Sequence, residues 1–235
     1  MADATIAEEE YLQTLFWLEE AGLPMTGANV ARAMQLSAPT VHEMVGRLER
    51  DGYITRGGDK AISFTPSGAE HAENIVRRHR LIERFLTDVL GIPWDEVHEE
   101  AERMEHAMSP RLEERMLAAI GDAKTCPHGH PIQAGARIEG VPLADVEERA
   151  RVTVLRFENE AEDLLHYLKA AGVEPGLRAS VAESGDAEVV LEHAGGRSAL
   201  TRSVAETVSV LADPSPPPRV ALPGQLVLGE RPYGR

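Results

Sequence analysis

The chain has 235 residues, 43% of them hydrophobic, which is enough for one large domain or two to three small ones with packed cores. Its 39 acidic and 24 basic residues give a net charge of −15, which argues against nucleic acid as a partner for the chain as a whole. The single cysteine, Cys126, excludes an internal disulfide and is typical of a reducing compartment. The sequence starts without a signal-peptide pattern and contains no apolar run of membrane-spanning length. We therefore expect a cytoplasmic protein with no membrane partner.

The first 66 residues predict three helices followed by a hairpin. Apolar residues recur at helical spacing in 5–21, 26–36 and 37–50. The stretch after them, "YITRGGDKAISFTPSG", predicts a strand, a Gly-Gly turn and a second strand. This order is typical of a winged helix-turn-helix, whose third helix enters the major groove of DNA. The alternative is a short helical bundle with a solvated face.

Charge is partitioned along the sequence. Residues 23–65 carry five basic and four acidic side chains, a sum of +1 within a strongly acidic chain. Hydroxyls and arginines on the outer face of a recognition helix can reach phosphates and base edges. The residues that we expect to face DNA are Ser37, Pro39, Thr40, His42, Glu43, Arg47 and Arg50 of the third helix, and Lys60 of the hairpin.

The remaining sequence predicts a mainly α protein with a small β part. Apolar stripes predict long helices over about 67–90 and 94–120, which we expect to form a dimer interface within a unit at 67–124. Residues 125–149 are rich in Gly and Pro and predict a linker. Residues 150–212 predict a small SH3-like (FeoA-like) barrel with a short acidic helix, and 213–235 a Pro-rich tail. The strand candidates are "RVTVLRF", "RASVAE", "AEVVLEH" and "ETVSVLA".

Two of the predicted helices carry side chains that could bind a metal. The six candidates are His79 and Glu83 on the first, and His98, Glu102, Glu105 and His106 on the second. Imidazole and carboxylate together suit a first-row divalent ion, and a carboxylate-rich set favours Mn²⁺. A solvated acidic face is the alternative. We interpret Cys126, His128 and His130 as part of a structural turn, because their ligand-like spacing lacks a second half-site.

Several stretches in this order resemble the diphtheria toxin repressor family of metal-dependent regulators. They are "EYLQTLFWLEEAG", "SAPTVHEMVGRLERDGYI", "TPSG", "RRHRLIERFLTDVLGI", "VHEEAERMEHAMS" and "CPHGHPI". The resemblance implies a winged helix-turn-helix, a helical metal-binding and dimerisation domain, and an SH3-like barrel.

The resemblance also implies two metal sites. The primary site falls on Glu10, Glu102, Glu105 and His106; the ancillary site falls on His79, Glu83 and His98, with Glu160 and Asp163 as candidates from the barrel and Glu162 as a further one. The iron-responsive branch has Met and Cys where this chain has Glu10 and Glu102, whereas manganese-responsive members carry acidic residues there. The resemblance therefore implies an Mn²⁺-responsive type.

We thus expect a homodimeric, Mn²⁺-dependent repressor of metal-uptake genes that binds a double-stranded DNA operator. An Fe²⁺-responsive regulator of the same family is the alternative. A carboxylate-bridged metalloenzyme is the rival from another class, although the sequence has no nucleophile motif or phosphate loop. A dimeric scaffold with an acidic face is a third reading. Metal-dependent DNA binding would distinguish the regulator from the metalloenzyme and from the scaffold.

Overall fold

The computed structural model describes residues 4–58, 60–133 and 139–213. These residues form an N-terminal helical unit with a hairpin, a central helical unit and a C-terminal barrel. No helix in these ranges is both long and apolar enough to cross a bilayer. Of the Pro-rich tail predicted over 213–235, residue 213 ends the last strand of the barrel and the rest lies outside the described residues.

The N-terminal unit is a winged helix-turn-helix, as predicted. Its elements are α1 (Ile6–Glu20), α2 (Gly27–Ala33), α3 (Ala38–Arg50), β1 (Ile54–Arg56) and β2 (Ile62–Phe64). The hydroxyl of Thr26 accepts a hydrogen bond from the amide of Asn29 at the start of α2, and that of Ser37 accepts one from Thr40 at the start of α3. Such caps satisfy amides that have no partner within the helix. The two caps fix where α2 and the recognition helix α3 begin.

The central unit is built on the long helix α4 (Pro66–Leu90), which contacts α1 of the first unit. The single helix predicted over 94–120 is instead two helices, α5 (His98–Glu105) and α6 (Pro110–Ile120). The break has a local cause, because Ser109 caps α6 and Pro110 has no amide hydrogen with which to continue α5. Both helices pack on α4.

The C-terminal barrel is a six-stranded antiparallel sheet in the order β3-β8-β4-β5-β6-β7. Its elements are β3 (Val141–Pro142), β4 (Arg151–Phe157), α7 (Glu162–Ala170), β5 (Arg178–Ser184), β6 (Glu188–His193), β7 (Gly196–Thr201), α8 (Arg202–Ala205) and β8 (Val208–Asp213). Four of the strands correspond to the predicted ones. Strand β7 has no clear apolar alternation in the sequence, because Leu200 is its only large apolar side chain, and it was not predicted.

Where a linker was expected, residues 125–132 form a buried turn. The amide of Cys126 donates to the carbonyl of His130 (2.8 Å), and the Arg84 guanidinium of α4 donates to the carbonyls of Thr125 (2.7 Å) and Cys126 (2.8 Å). On the other side, the amide of Phe157 in β4 donates to the carbonyl of His128 (3.0 Å). The turn therefore lies between α4 and the barrel. Residues 134–138, also predicted as linker, lie outside the described ranges.

Candidate metal centre

Four of the residues implied for the ancillary site meet in one cluster. The cluster consists of His79, Glu83, His98 and Glu160, each with a ligand atom within 4.8 Å of the others. Oε1 of Glu83 lies 3.0 Å from Nε2 of His79 and 3.2 Å from Nδ1 of His98, which in turn lies 3.6 Å from Oε2 of Glu160. Three units of local structure thus supply this set: α4, the start of α5 and the segment before α7.

The electrostatics of the cluster favour protonated imidazoles in the metal-free chain. Burial alone would lower the pKa of His79, but the charge of Glu83 and hydrogen bonds to Glu105 and Glu83 raise it to about 9. Burial would also lower the pKa of His98, but hydrogen bonds to Glu102 and Glu83 outweigh this effect and raise that pKa to about 10. The proton on each imidazole supplies positive charge beside these carboxylates, as a metal cation would.

The buried turn, predicted to be structural only, adds two ligand-type side chains to the site. Glu83, Cys126 and His128 form a second buried group, with ligand atoms again within 4.8 Å of one another. Nε2 of His128 donates to the carbonyl of Trp94 (2.7 Å), so Nδ1 is the nitrogen that faces Oε1 of Glu83 at 3.4 Å. A backbone acceptor on one ring nitrogen is the usual way that a protein orients a histidine for metal binding.

Unpartnered buried atoms support a cation in this place. Oε2 of Glu83 and Nδ1 of His128 are buried and have no hydrogen-bond partner among the described residues. Buried polar atoms are normally satisfied, so two unsatisfied atoms on residues of one ligand group call for an explanation. A divalent ion fits, because imidazole nitrogen and carboxylate oxygen are ligands suited to first-row metals.

Glu105 joins this cluster to the residues implied for the primary site. Its Oε2 lies 2.6 Å from Nδ1 of His79 and accepts a hydrogen bond from the side-chain amide, Nε2, of Gln13 (3.2 Å). Its Oε1 lies 3.3 Å from Nε2 of His106 and has no hydrogen-bond partner within the described ranges. Nδ1 of His106 faces Oε2 of Glu9 on α1 at 2.7 Å, so Nε2 is the ring nitrogen left to face Glu105.

The other residues implied for the two sites lie further out. Glu10 is exposed on α1, one residue beyond the carboxylate that faces His106. Glu102 is half exposed and lies 3.5 Å from Nε2 of His98, on the ancillary side. Asp163 and Glu162 are exposed at the start of α7. The structure thus brings Glu105 and His106 into contact, while Glu10 and Glu102 are exposed.

All eight residues expected to face DNA are exposed, at the start of α3, along it, and in the hairpin. They are Ser37, Pro39, Thr40, His42, Glu43, Arg47, Arg50 and Lys60. Arg47 differs from the rest because its Nε lies 2.9 Å from Oε1 of Glu8, a buried carboxylate in the first turn of α1. This ion pair attaches the recognition helix to the helix that carries Glu9.

A winged helix-turn-helix joined through α1 to a buried histidine–carboxylate cluster defines a metal-responsive DNA-binding protein. Residues 4–62 match the iron dependent repressor N-terminal DNA binding domain, residues 65–134 the iron dependent repressor metal binding and dimerisation domain, and residues 141–212 the FeoA domain. The chain belongs to this family of iron-dependent repressors, which includes the diphtheria toxin repressor. It is thus a metal-dependent DNA-binding repressor rather than an enzyme.

Individual relatives match over most of their length. The chain is 34% identical to the iron-dependent repressor IdeR of Mycobacterium leprae, over 81% of this chain and 90% of the relative. It is 31% identical to the diphtheria toxin repressor of Corynebacterium diphtheriae, over 89% and 99%. Among solved structures, a manganese-dependent transcriptional repressor in complex with manganese aligns with a TM-score of 0.79 and 29% identity, over 87% of this chain and 99% of that one. The predicted family, fold class and regulatory function are confirmed.

Proposed function

We propose that this repressor responds to Mn²⁺, and that as a homodimer it binds a double-stranded DNA operator and represses metal-uptake genes. The observation that carries the proposal is the convergence of the buried His79 and Glu83 with the partly buried His98 and Glu160, whose donors are imidazole nitrogens and carboxylate oxygens. Carboxylate oxygens suit Mn²⁺, whereas thiolate sets select softer ions. Glu10 and Glu102, in place of sulfur ligands, support the same preference.

The ancillary ion would be held by His79, Glu83, His98 and Glu160, with His128 added from the buried turn; Cys126, the third member of the second group, lies beside them. The primary ion would be held by Glu105 and His106, joined by Glu10 and Glu102 after a rearrangement of their side chains. In both places the metal supplies positive charge that offsets converging carboxylates.

The residues of α1 suggest how occupancy reaches the DNA-reading surface. Glu9 contacts His106, Gln13 contacts Glu105, and Glu8 pairs with Arg47 of the recognition helix. Any ligand that fixes His106 and Glu105 therefore restricts α1, and α1 restricts α3. Metal shifts the population toward the DNA-competent arrangement by the difference in its affinity for the two arrangements, and by no more than that.

Two observations favour Fe²⁺ as the alternative metal. The relatives from Mycobacterium leprae and other mycobacteria are named iron-dependent repressors. The thiol of Cys126 also lies beside Glu83 and His128, and sulfur is a softer ligand than oxygen. A titration of DNA affinity against each metal under anaerobic conditions distinguishes the two.

The test of the function is metal-dependent binding to a duplex selected from a random pool in the presence of Mn²⁺. We expect tight binding in Mn²⁺, loss of binding in chelator, and a strong reduction in Glu83→Gln. The matched control is Glu114→Gln, which removes the same charge from an exposed position on α6. Equal affinity in chelator and in Mn²⁺ would refute the proposal.

A further inference from the structure

We propose that Asp95 is a positioning residue: its ion pair with Lys169 docks the barrel so that Glu160 reaches the ancillary cluster. Asp95 lies in the loop between α4 and α5, and Lys169 lies on α7 of the barrel. The inference rests on the proposed binding of metal at that cluster. It adds a residue that touches no ligand atom of the cluster and yet determines whether the set is complete.

The carboxylate of Asp95 is buried between the two units. It is 4% exposed, its Oδ1 pairs with the ammonium of Lys169, and its Oδ2 lies 3.6 Å from Nε2 of His166. Lys169 and His166 are both on α7. A buried carboxylate is costly without a charged or hydrogen-bonding partner. The pairing therefore favours the arrangement in which α7 lies against this loop.

The same group of side chains is not well suited to a metal ion of its own. Asp95, Glu96 and His166 have ligand atoms within 4.8 Å of one another, but Glu96 and His166 are exposed. The ammonium of Lys169 already contacts the buried oxygen and would repel a second cation. This cluster is better explained as an ion pair between two units of the chain.

The position of α7 determines where Glu160 lies. Helix α7 begins at Glu162, so Glu160 precedes it by two residues, and its carboxylate lies within 3.6 Å of His98 and 3.7 Å of His128. A displacement of α7 carries the backbone at 160 with it. Glu160 is the barrel's member of the cluster, so barrel docking and completion of the ligand set are one event.

The same loop also orients a second member of the centre. Trp94, adjacent to Asp95, accepts a hydrogen bond at its carbonyl from His128, and its ring lies 5.6 Å from that of Phe157 at the end of β4. His98 follows Asp95 by three residues. The loop thus contacts the buried turn, the barrel and α5 together. Asp95 is the residue in it that attaches α7.

The test is the affinity of the full chain for Mn²⁺, measured by titration with detection of free Mn²⁺ by electron paramagnetic resonance. The site followed is the one lost in His79→Gln. Lys169→Met removes the charge but keeps most of the side chain, and we expect about tenfold weaker binding, within the range of coupling between contacting groups. Lys169→Arg should restore binding. Arg197→Met is the matched control, because it breaks the exposed ion pair to Glu183 in the same barrel.

A double-mutant cycle separates positioning from general destabilisation. In a Glu160→Gln background, we expect Lys169→Met to weaken Mn²⁺ binding less than twofold, because its effect acts through Glu160. An equal loss in both backgrounds, or binding of Lys169→Met at wild-type strength, would overturn the inference. A wild-type chain that binds no Mn²⁺ at this site would overturn the proposed function itself, and the inference with it.

Discussion

Oε2 of Glu9 lies 2.7 Å from Nδ1 of His106, and this contact joins the first helix to the end of α5. The neighbouring Glu10 is exposed, although the family resemblance makes it the ligand from α1. The two carboxylates therefore have separable roles: Glu9 orients His106, whose Nε2 faces Glu105, and Glu10 would reach the ion only after the side chain moves.

The first prediction tests these roles. Loss of a carboxylate that orients a metal-binding histidine typically lowers metal affinity 10- to 100-fold. We expect Glu9→Ala to weaken Mn²⁺ binding at the primary site by about tenfold, and Glu10→Ala to weaken it further because a ligand is lost. Calorimetric titration of both variants provides the measurement. If Glu10→Ala bound Mn²⁺ like the wild type, the ligand from α1 would have to be Glu9.

The second prediction concerns metal choice at Glu102. Affinity for first-row divalent ions generally rises from Mn²⁺ toward Ni²⁺, so preference for Mn²⁺ must come from ligand type and geometry. Glu102→Cys exchanges a hard oxygen for a soft sulfur, and we expect weaker activation by Mn²⁺ and stronger activation by Fe²⁺ or Co²⁺. Glu10→Met should act in the same direction.

The measurement is DNA affinity against free metal concentration without oxygen. Glu99→Cys is the control, because Glu99 lies on the same helix, exposed and paired with Arg103. A ratio of Mn²⁺ to Fe²⁺ response that does not change in Glu102→Cys would remove the main support for the Mn²⁺ preference.

The third prediction is that metal binding releases protons. His79 and His98, with pKa values raised to about 9 and about 10, are protonated at pH 7 in the metal-free chain, while a metal needs an unprotonated nitrogen. Below these raised pKa values both imidazoles are protonated, so protons compete with the metal most strongly at low pH. Mn²⁺ affinity should therefore rise between pH 6 and about pH 9.

Calorimetry in two buffers of different ionisation enthalpy counts the protons released, and His79→Gln should release fewer than the wild type. An affinity that is the same at pH 6.5 and pH 8 would contradict the prediction.

The fourth prediction divides the DNA-facing residues into those that contact phosphates and those that determine sequence preference. Arg50 and Lys60 are exposed cations, so Arg50→Ala and Lys60→Ala should weaken binding to all duplexes about equally and reduce the slope of affinity against salt by about one each. Thr40→Ala should instead alter sequence preference, since Thr40 lies at the start of α3. Ser37→Ala also removes the cap of α3 at about 1 kcal/mol, so Ser37→Asn is the better variant there. Parallel losses on specific and random duplexes for Thr40→Ala would refute the division.

The fifth prediction concerns the junction of the wing and α4. An added Cβ at Gly68 would overlap the backbone carbonyl of Tyr53, whereas at Gly46 in α3 its nearest neighbour is Nη1 of Arg50 at 3.6 Å. Gly68→Ala should lower the free energy of unfolding by about 2 kcal/mol or more, and Gly46→Ala should raise it by about 0.5–1 kcal/mol. Urea unfolding monitored by circular dichroism measures both. If both variants changed the free energy of unfolding by the same amount, the close contact of Gly68 with Tyr53 would not hold α4 against the wing.

Local signals were sufficient for much of the fold. The helices predicted over 5–21, 26–36 and 37–50, and the placement of His79 and Glu83 on one helix, depend only on neighbouring residues, and the structure has them there. The break in the predicted 94–120 helix was missed, although Ser109 and its following proline are a local signal for it.

The remaining features of the centre depend on contacts between distant segments. Residues 9 and 10 point about 100° apart on a helix, so only the packing of α1 decides which one faces His106. His128 becomes part of the centre because its turn is held between α4 and β4, and no spacing in "CPHGHPI" encodes either partner. Likewise, Glu160 rather than Asp163 reaches the cluster because it precedes α7, which depends on how the barrel docks.

Gly129, at the tip of the buried turn, has a φ of +96°, and an added Cβ would overlap the carbonyl of Leu155 in β4. Main chain therefore lies against main chain at this point, with no intervening side chain that could change rotamer and absorb a displacement. A displacement of the turn, which carries His128, therefore has to displace the strand as well. The barrel and the central unit are in direct backbone contact at this residue, so any bulkier replacement would push the turn away from the strand while leaving every ligand in the chain.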